Sequence, residues 1–103
     1  MTLDELKTAL DTSGLPFVYH HWETEKAPPY GVYLYAYDAP FYADGVVFYS
    51  GGHYQVELYV RKKDPDAEAS VEKALSTAGI AYVKSELYLD GEGLYEILYE
   101  IEV

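Results

Sequence analysis

Cysteine is absent from the 103 residues, which excludes disulfides and every thiolate reaction and is compatible with a reducing site of synthesis. Basic residues are scarce, seven lysines and arginines against eighteen acidic residues, for a net charge of −11. Such a field repels phosphate backbones and anionic lipid, so direct binding of nucleic acid is disfavoured. Long apolar runs are missing too: no segment approaches the roughly 18 apolar residues of a membrane-crossing helix. Met1 to Leu10 is acidic and amphipathic, so no secretion signal is expected there. What abounds is tyrosine, with 13 residues in a chain that is 50% hydrophobic. That supplies enough apolar surface to order the backbone of one domain spanning residues 1–103.

Thr2 followed by Glu5 makes a capping box, so a helix starts near Leu3. Leu3, Leu6 and Leu10 recur at helical spacing, Gly14 supplies the left-handed residue that ends the helix, and Pro16 prevents continuation. Alternating runs rich in tyrosine and valine follow, at Phe17 to Trp22, Tyr30 to Tyr37, Val46 to Tyr49 and His53 to Arg61, and read as a β-meander. Between them lie Pro28, Pro29, Pro40 and a Gly51-Gly52 turn. Asp64-Pro65 opens a second helix with Val71, Ala74, Leu75 and Ala78 as its buried stripe, closed by Gly79. Two more strands, Tyr82 to Leu89 and Leu94 to Val103, flank a hairpin turn at Asp90-Gly91-Glu92-Gly93. The order is αβββαββ, an α+β fold: a mostly antiparallel sheet with two helices packed on one face. The helix ends Ala9 to Leu15 and Ala74 to Ile80 echo one another, which marks two similar helix-to-strand corners.

Strand alternation sets Val32, Leu34 and Ala36 on one face and Tyr33, Tyr35 and Tyr37 on the other. Tyr54, Val56, Leu58 and Val60 likewise oppose Gln55, Glu57, Tyr59 and Arg61, and Tyr95, Ile97, Tyr99 and Ile101 oppose Glu96, Leu98, Glu100 and Glu102. Aliphatics are thus expected under the helices and tyrosines with charges on the opposite face. A single tyrosine there is an ordinary solvated strand residue, but in a chain with 13 tyrosines this face is a candidate contact surface, because tyrosine offers large area at low entropic cost. The candidate interface comprises Tyr33, Tyr35, Tyr37 and Tyr59, the basic cluster Arg61-Lys62-Lys63, and Phe41 and Tyr42 in a loop expected over Asp38 to Gly45. Glu96, Glu100 and Glu102 form a candidate acidic face.

Catalytic machinery is not apparent. His20 and His21 are adjacent on an expected strand and would point to opposite faces, so no metal site is expected, and His53 beside a glycine turn reads as solvated. Ser50-Gly51-Gly52-His53 lacks the lysine and following helix of a phosphate-cradling loop. Glu100 and Glu102 share a face without a pocket signal, and no nucleophile pairs with a base. No cofactor and no enzymatic activity is expected.

Several segments then read together: Pro29 to Tyr33, Val56 to Tyr59 leading through Arg61 to Glu68, Glu72 to Leu75 with Ala78 to Tyr82, and Leu94 to Ile101. In that order the chain resembles the tail terminator, or tail-to-head joining, proteins of long-tailed siphoviruses and prophages of Gram-positive bacteria. The resemblance implies a virion protein made in the host cytoplasm and placed at the head-proximal end of the tail. It implies a ring, commonly a hexamer, that caps the tail tube, stops its polymerisation and joins tail to head. Partners would be copies of itself, the major tail tube protein and head-completion proteins, with no membrane contact, while DNA passes through the ring without specific binding. If Glu96, Glu100 and Glu102 lined the lumen they would repel that DNA. The acidic balance also fits a second reading, a DNA mimic that inhibits a host nucleic-acid enzyme.

Overall fold

The computed structural model is described over residues 2–43 and 46–102, with the backbone alone in 38–43 and 46–51. The fold is α+β in the order α1 (Leu3–Asp11), β1 (Phe17–Tyr19), β2 (Tyr30–Ala43), β3 (Val46–Val60), α2 (Pro65–Thr77), β4 (Tyr82–Leu89) and β5 (Leu94–Glu102). The five strands form one sheet in the order β1-β2-β3-β5-β4.

Both helices start and stop as their local chemistry dictates. Thr2 accepts from the Glu5 amide and Glu5 reaches back to the Thr2 amide, each at 3.1 Å. Asp64 accepts from the Ala67 amide at 3.1 Å, with Pro65 where its missing donor costs nothing. At the other ends Gly14 and Gly79 take φ of +79° and +75°, which glycine adopts without strain. Leu15 packs back against the core after the first of these corners.

The middle of the sheet departs from the expected meander in three ways. β1 stops at Tyr19 instead of running to Trp22, and it pairs parallel to β2, Phe17 beside Gly31 and Tyr19 beside Tyr33. Residues 20–29 therefore have to cross over rather than turn back. The two runs Val46 to Tyr49 and His53 to Arg61 are one strand, since Ser50-Gly51-Gly52 continues the ladder against β2 instead of turning. Gly52 is small for another reason: a Cβ there would meet Cε2 of Tyr54 at 2.6 Å. Finally, 38–43 is strand rather than loop, pairing with 46–52; Asp44 and Gly45 lie outside the described residues, as does Val103.

Register decides what is core. In an antiparallel pair, residues directly opposite share a face, and Tyr33 lies opposite Val56 and Gly31 opposite Leu58. Tyr33 is therefore under the helices, 7% exposed, and Val32 and Leu34 are on the open face. This reverses the expected assignment for the first half of β2. A register shift between Tyr35 and Tyr37 then moves Tyr37 to the open face, opposite His53. The helix side carries Leu6 and Leu10 of α1, Val71 and Leu75 of α2, Val56, Leu58 and Val60 of β3, and Ile97, Tyr99 and Ile101 of β5. Each large aliphatic buried there contributes about 1.5–3 kcal/mol. Phe17 roofs Gly31 so closely that its ring occupies the space of a Cβ.

Charge fastens α2 to the sheet edge. Glu68, the one buried charged residue among those described, meets Lys63 at 2.8 Å and Lys84 at 2.7 Å. Lys84 also reaches Glu72 at 2.7 Å, Lys63 pairs with Glu86, and the buried Tyr99 hydroxyl donates to Glu72 at 2.8 Å. Burial alone would raise the Glu68 carboxyl, but the two lysine contacts outweigh it and hold the group below its ordinary value of 4.5. A carboxyl lowered on folding contributes stability above its unfolded value and loses it as pH falls through the folded one. Lys63 and Lys84 are raised above 10.5 by the same hydrogen bonds, so their contribution is lost only as pH climbs past that range. The network stabilises the fold from roughly pH 5 to pH 10.

Two outcomes follow from this packing. Glu68→Ala should cost about 1–3 kcal/mol near neutrality, less than a fully buried pair because both lysines are partly solvated. The deficit should shrink below about pH 4, which urea unfolding at the two pH values reads directly. Gly31→Ala should cost about 1–3 kcal/mol by overpacking against Phe17. Thermal melts of Gly31→Ala with and without Phe17→Leu check this, the smaller side chain restoring part of the loss.

Candidate functional site

The open face is the side of the sheet away from the helices. β5 presents Leu94, Glu96, Leu98, Glu100 and Glu102 on it, facing Tyr59, Glu57, Gln55 and His53 of β3. Glu96, Glu100 and Glu102 are thus brought together on one face, as alternation predicts. Among the described residues neither Glu96 nor Glu100 holds an ion pair, and Glu102 lies 3.7 Å from Nδ1 of His53.

One end of this face is walled into a trough. His20 takes a φ of +67° and the His21 amide donates to the Tyr19 carbonyl at 2.8 Å, which ends β1 and throws the following segment onto the open face. Trp22 anchors it there: its indole Nε1 donates to the Gly31 carbonyl at 3.3 Å and its ring stands edge-on to Tyr30, with centroids 6.4 Å apart. Tyr30 stacks on Tyr59 at 5.2 Å, and the Tyr59 hydroxyl donates to Glu57 at 2.7 Å. The trough holds about 720 Å3, floored by Val32, Tyr59 and Glu57 and closed on its far side by Leu89, Glu92 and Leu94 at the β4–β5 turn. Val32 is buried under this cover.

Carboxylates outnumber lysine and arginine in the trough lining, Glu23, Glu25, Glu57 and Glu92 against Lys26 and Arg61. Burial raises the Glu96 carboxyl, and the neighbouring Glu57 and Glu92 raise it further. Burial likewise raises Tyr30, helped by Glu92, and pushes Tyr59 well above the usual phenol range, helped by its bond to Glu57 and by Glu96. On the wall Lys26 lies 5.1 Å from the centroid of Trp22, and Arg61 borders the trough without an ion pair among the described residues.

The opposite end is an arm. Beyond the last β3–β5 pair, His53 with Glu102, residues 38–43 and 46–52 pair only with each other among the described residues. At about 3.4 Å per residue the ribbon runs on for roughly 20 Å, and the molecule measures 48 × 28 × 25 Å. Among the described residues no third strand takes up the backbone groups along either long edge of the ribbon.

The expected interface residues are dispersed by this geometry. Tyr33 is in the core and cannot contact a partner. Tyr35 is exposed but lies on the helix side, against Tyr54. Tyr37, 58% exposed, stacks on His53 at 4.5 Å on the open face, and Tyr59 floors the trough. The side chains of Phe41 and Tyr42 lie outside the described ones. Lys63 is consumed by Glu68 and Glu86, so the expected basic cluster reduces to Arg61 and Lys62, both exposed. His53 is a half-buried strand residue whose Nε2 has no hydrogen-bond partner among the described residues, not a solvated turn residue. His20 and His21 do not diverge: their Nδ1 atoms approach to 3.1 Å because the strand has already ended. Even so, no group of three or more potential ligands converges on a metal site among the described residues, and no described helix is long and apolar enough to cross a membrane. Trp22, Tyr30 and Glu92 were invisible as site residues, since nothing in a lone tryptophan marks a segment that folds over a sheet.

The chain matches no protein-family model, no curated protein and no solved structure. The geometry defines a small α+β fold with a walled aromatic trough at one end of its sheet and, among the described residues, a two-stranded arm that pairs with no further strand at the other.

Tyrosine nitration with peptide mapping tests the revised faces. Tyr37 and Tyr88 should react first, whereas Tyr33 and Tyr99, buried and with phenols raised by that burial, should stay unmodified until the protein unfolds.

Proposed function

We propose that the protein is an assembly subunit of a long-tailed phage neck, a tail terminator that forms a ring on the end of the tail tube, stops its growth and presents a surface to the head. The arm carries this reading. A two-stranded ribbon alone is marginal in water, and its free edges invite pairing with another chain. A ring needs a heterologous contact, one patch meeting a different patch on the next copy, and an arm at one end of an elongated body supplies the first member of such a pair. The open acidic row Glu96, Glu100 and Glu102 suits a lumen through which DNA passes without sticking.

Mixing the purified protein with tail tubes and imaging them by electron microscopy tests the reading. Added ring density at the head-proximal end is expected, and replacing 40–49 by a tight turn should abolish it while circular dichroism stays that of a folded α+β protein. Tubes that remain bare with the full chain, or mature virions lacking the protein, overturn it.

A further inference from the structure

The trough is a cavity whose walls are aromatic and whose lining carries four glutamates, Glu23, Glu25, Glu57 and Glu92, against the two cations Lys26 and Arg61. Tyr30 and Tyr59 are stacked on its floor, Trp22 closes one wall, Glu57 and Glu92 belong to its lining, and Glu96 lies opposite Tyr59. None of the three carboxylates holds an ion pair with a lysine or arginine among the described residues. On the helix side, by contrast, Lys63 and Lys84 each bridge two glutamates. Glu57 and Glu92 line the trough and Glu96 lies opposite Tyr59 on the neighbouring strand, so carboxylates gather at this end of the sheet. The position of Lys26 over the Trp22 ring already shows a cation resting on this aromatic wall.

We infer that the trough is a docking site for an arginine side chain carried on an extended segment of a partner protein. A planar guanidinium stacks on tyrosine faces and hydrogen-bonds carboxylates at its edge, which a compact ammonium cannot do together. The trough, at about 720 Å3 and open along the sheet, is larger than one guanidinium and fits it together with the chain that bears it. The net charge of −11 favours encounter with basic segments. This site is separate from the arm and does not depend on the ring reading.

Trp22 is the single tryptophan of the chain and lies in the wall, so its fluorescence reports occupancy. The full-length protein is titrated in 0.1 M salt, a concentration at which exposed charges are screened beyond about 10 Å, with a capped Ser-Gly-Arg-Gly-Ser peptide and with the same peptide carrying neutral citrulline in place of arginine. Saturable change is expected with the arginine peptide, weaker by at least about tenfold with citrulline. Glu57→Gln and Glu96→Gln should each weaken binding about fivefold or more, while Asp66→Asn, one charge fewer on α2, leaves it unchanged. Thermal melts identify any variant that fails to fold, and for such a variant backbone amide shifts of the unmutated protein at Tyr30, Tyr59 and Glu96 on peptide addition replace the comparison. Equal response to arginine and citrulline, no saturable response, unshifted amides, or tetramethylammonium binding as tightly as the peptide each overturn the inference.

Discussion

The register of β2 against β3 is the constraint from which the rest of the structure follows. Once Tyr33 lies opposite Val56, strand alternation sends Gly31 and Tyr33 under the helices and Tyr30, Val32 and Leu34 to the open face. A slip of one residue would expose the core and bury the trough. Two local features pin the register. Phe17 fits only over a glycine, which fixes β1 against Gly31, and the shift between Tyr35 and Tyr37 adds the extra residue that swings the distal half of β2 to the other face. The Tyr37–His53 stack forms where that shift ends.

What was legible in the sequence is what local chemistry decides. The capping box at Thr2, the Asp64-Pro65 start, the glycine stops and the Asp90 to Gly93 turn each concern contacts within a few residues, and each helix and the last hairpin follow from them. The α+β class and the order αβββαββ came with them. What was not legible is non-local. Whether Gly51-Gly52 turns or continues depends on whether another strand runs opposite, and here one does. Which side of β2 is buried depends on pairing with β3, so an isolated reading of Val32, Leu34 and Ala36 as the core face had no means of weighing Tyr33 against them. A short β1 followed by a tryptophan-anchored crossover has no periodic signature at all, and the trough was hidden with it.

Charge is divided between the two faces in a way that composition conceals. Lysines 63 and 84 gather Glu68, Glu72 and Glu86 into a network that fastens α2 to β4. A buried Glu68 stripped of those lysines would be costly, so both are committed to the fold and Lys63 is unavailable to a partner. On the open face Glu96 and Glu100 hold no ion pair among the described residues, and Glu102 lies 3.7 Å from His53. The DNA-mimic reading needs regular duplex-like rows of charge, whereas the row on β5 is broken by Leu98 between Glu96 and Glu100.

The placement of trough and arm bears on how copies could assemble. They occupy opposite ends of one ladder, which runs from Tyr30 paired with Tyr59 to Ala43 paired with Val46. Fourteen residues at about 3.4 Å each span roughly 45 Å, close to the 48 Å length of the molecule. The two ends also differ in chemistry, one offering unpaired backbone and the other aromatic faces with carboxylates. A self-complementary two-fold contact would use one patch twice and leave the other idle. A body with unlike ends is suited instead to head-to-tail contacts, or to bridging two different neighbours, and both demands are made of a subunit that closes a ring between a tube and a head.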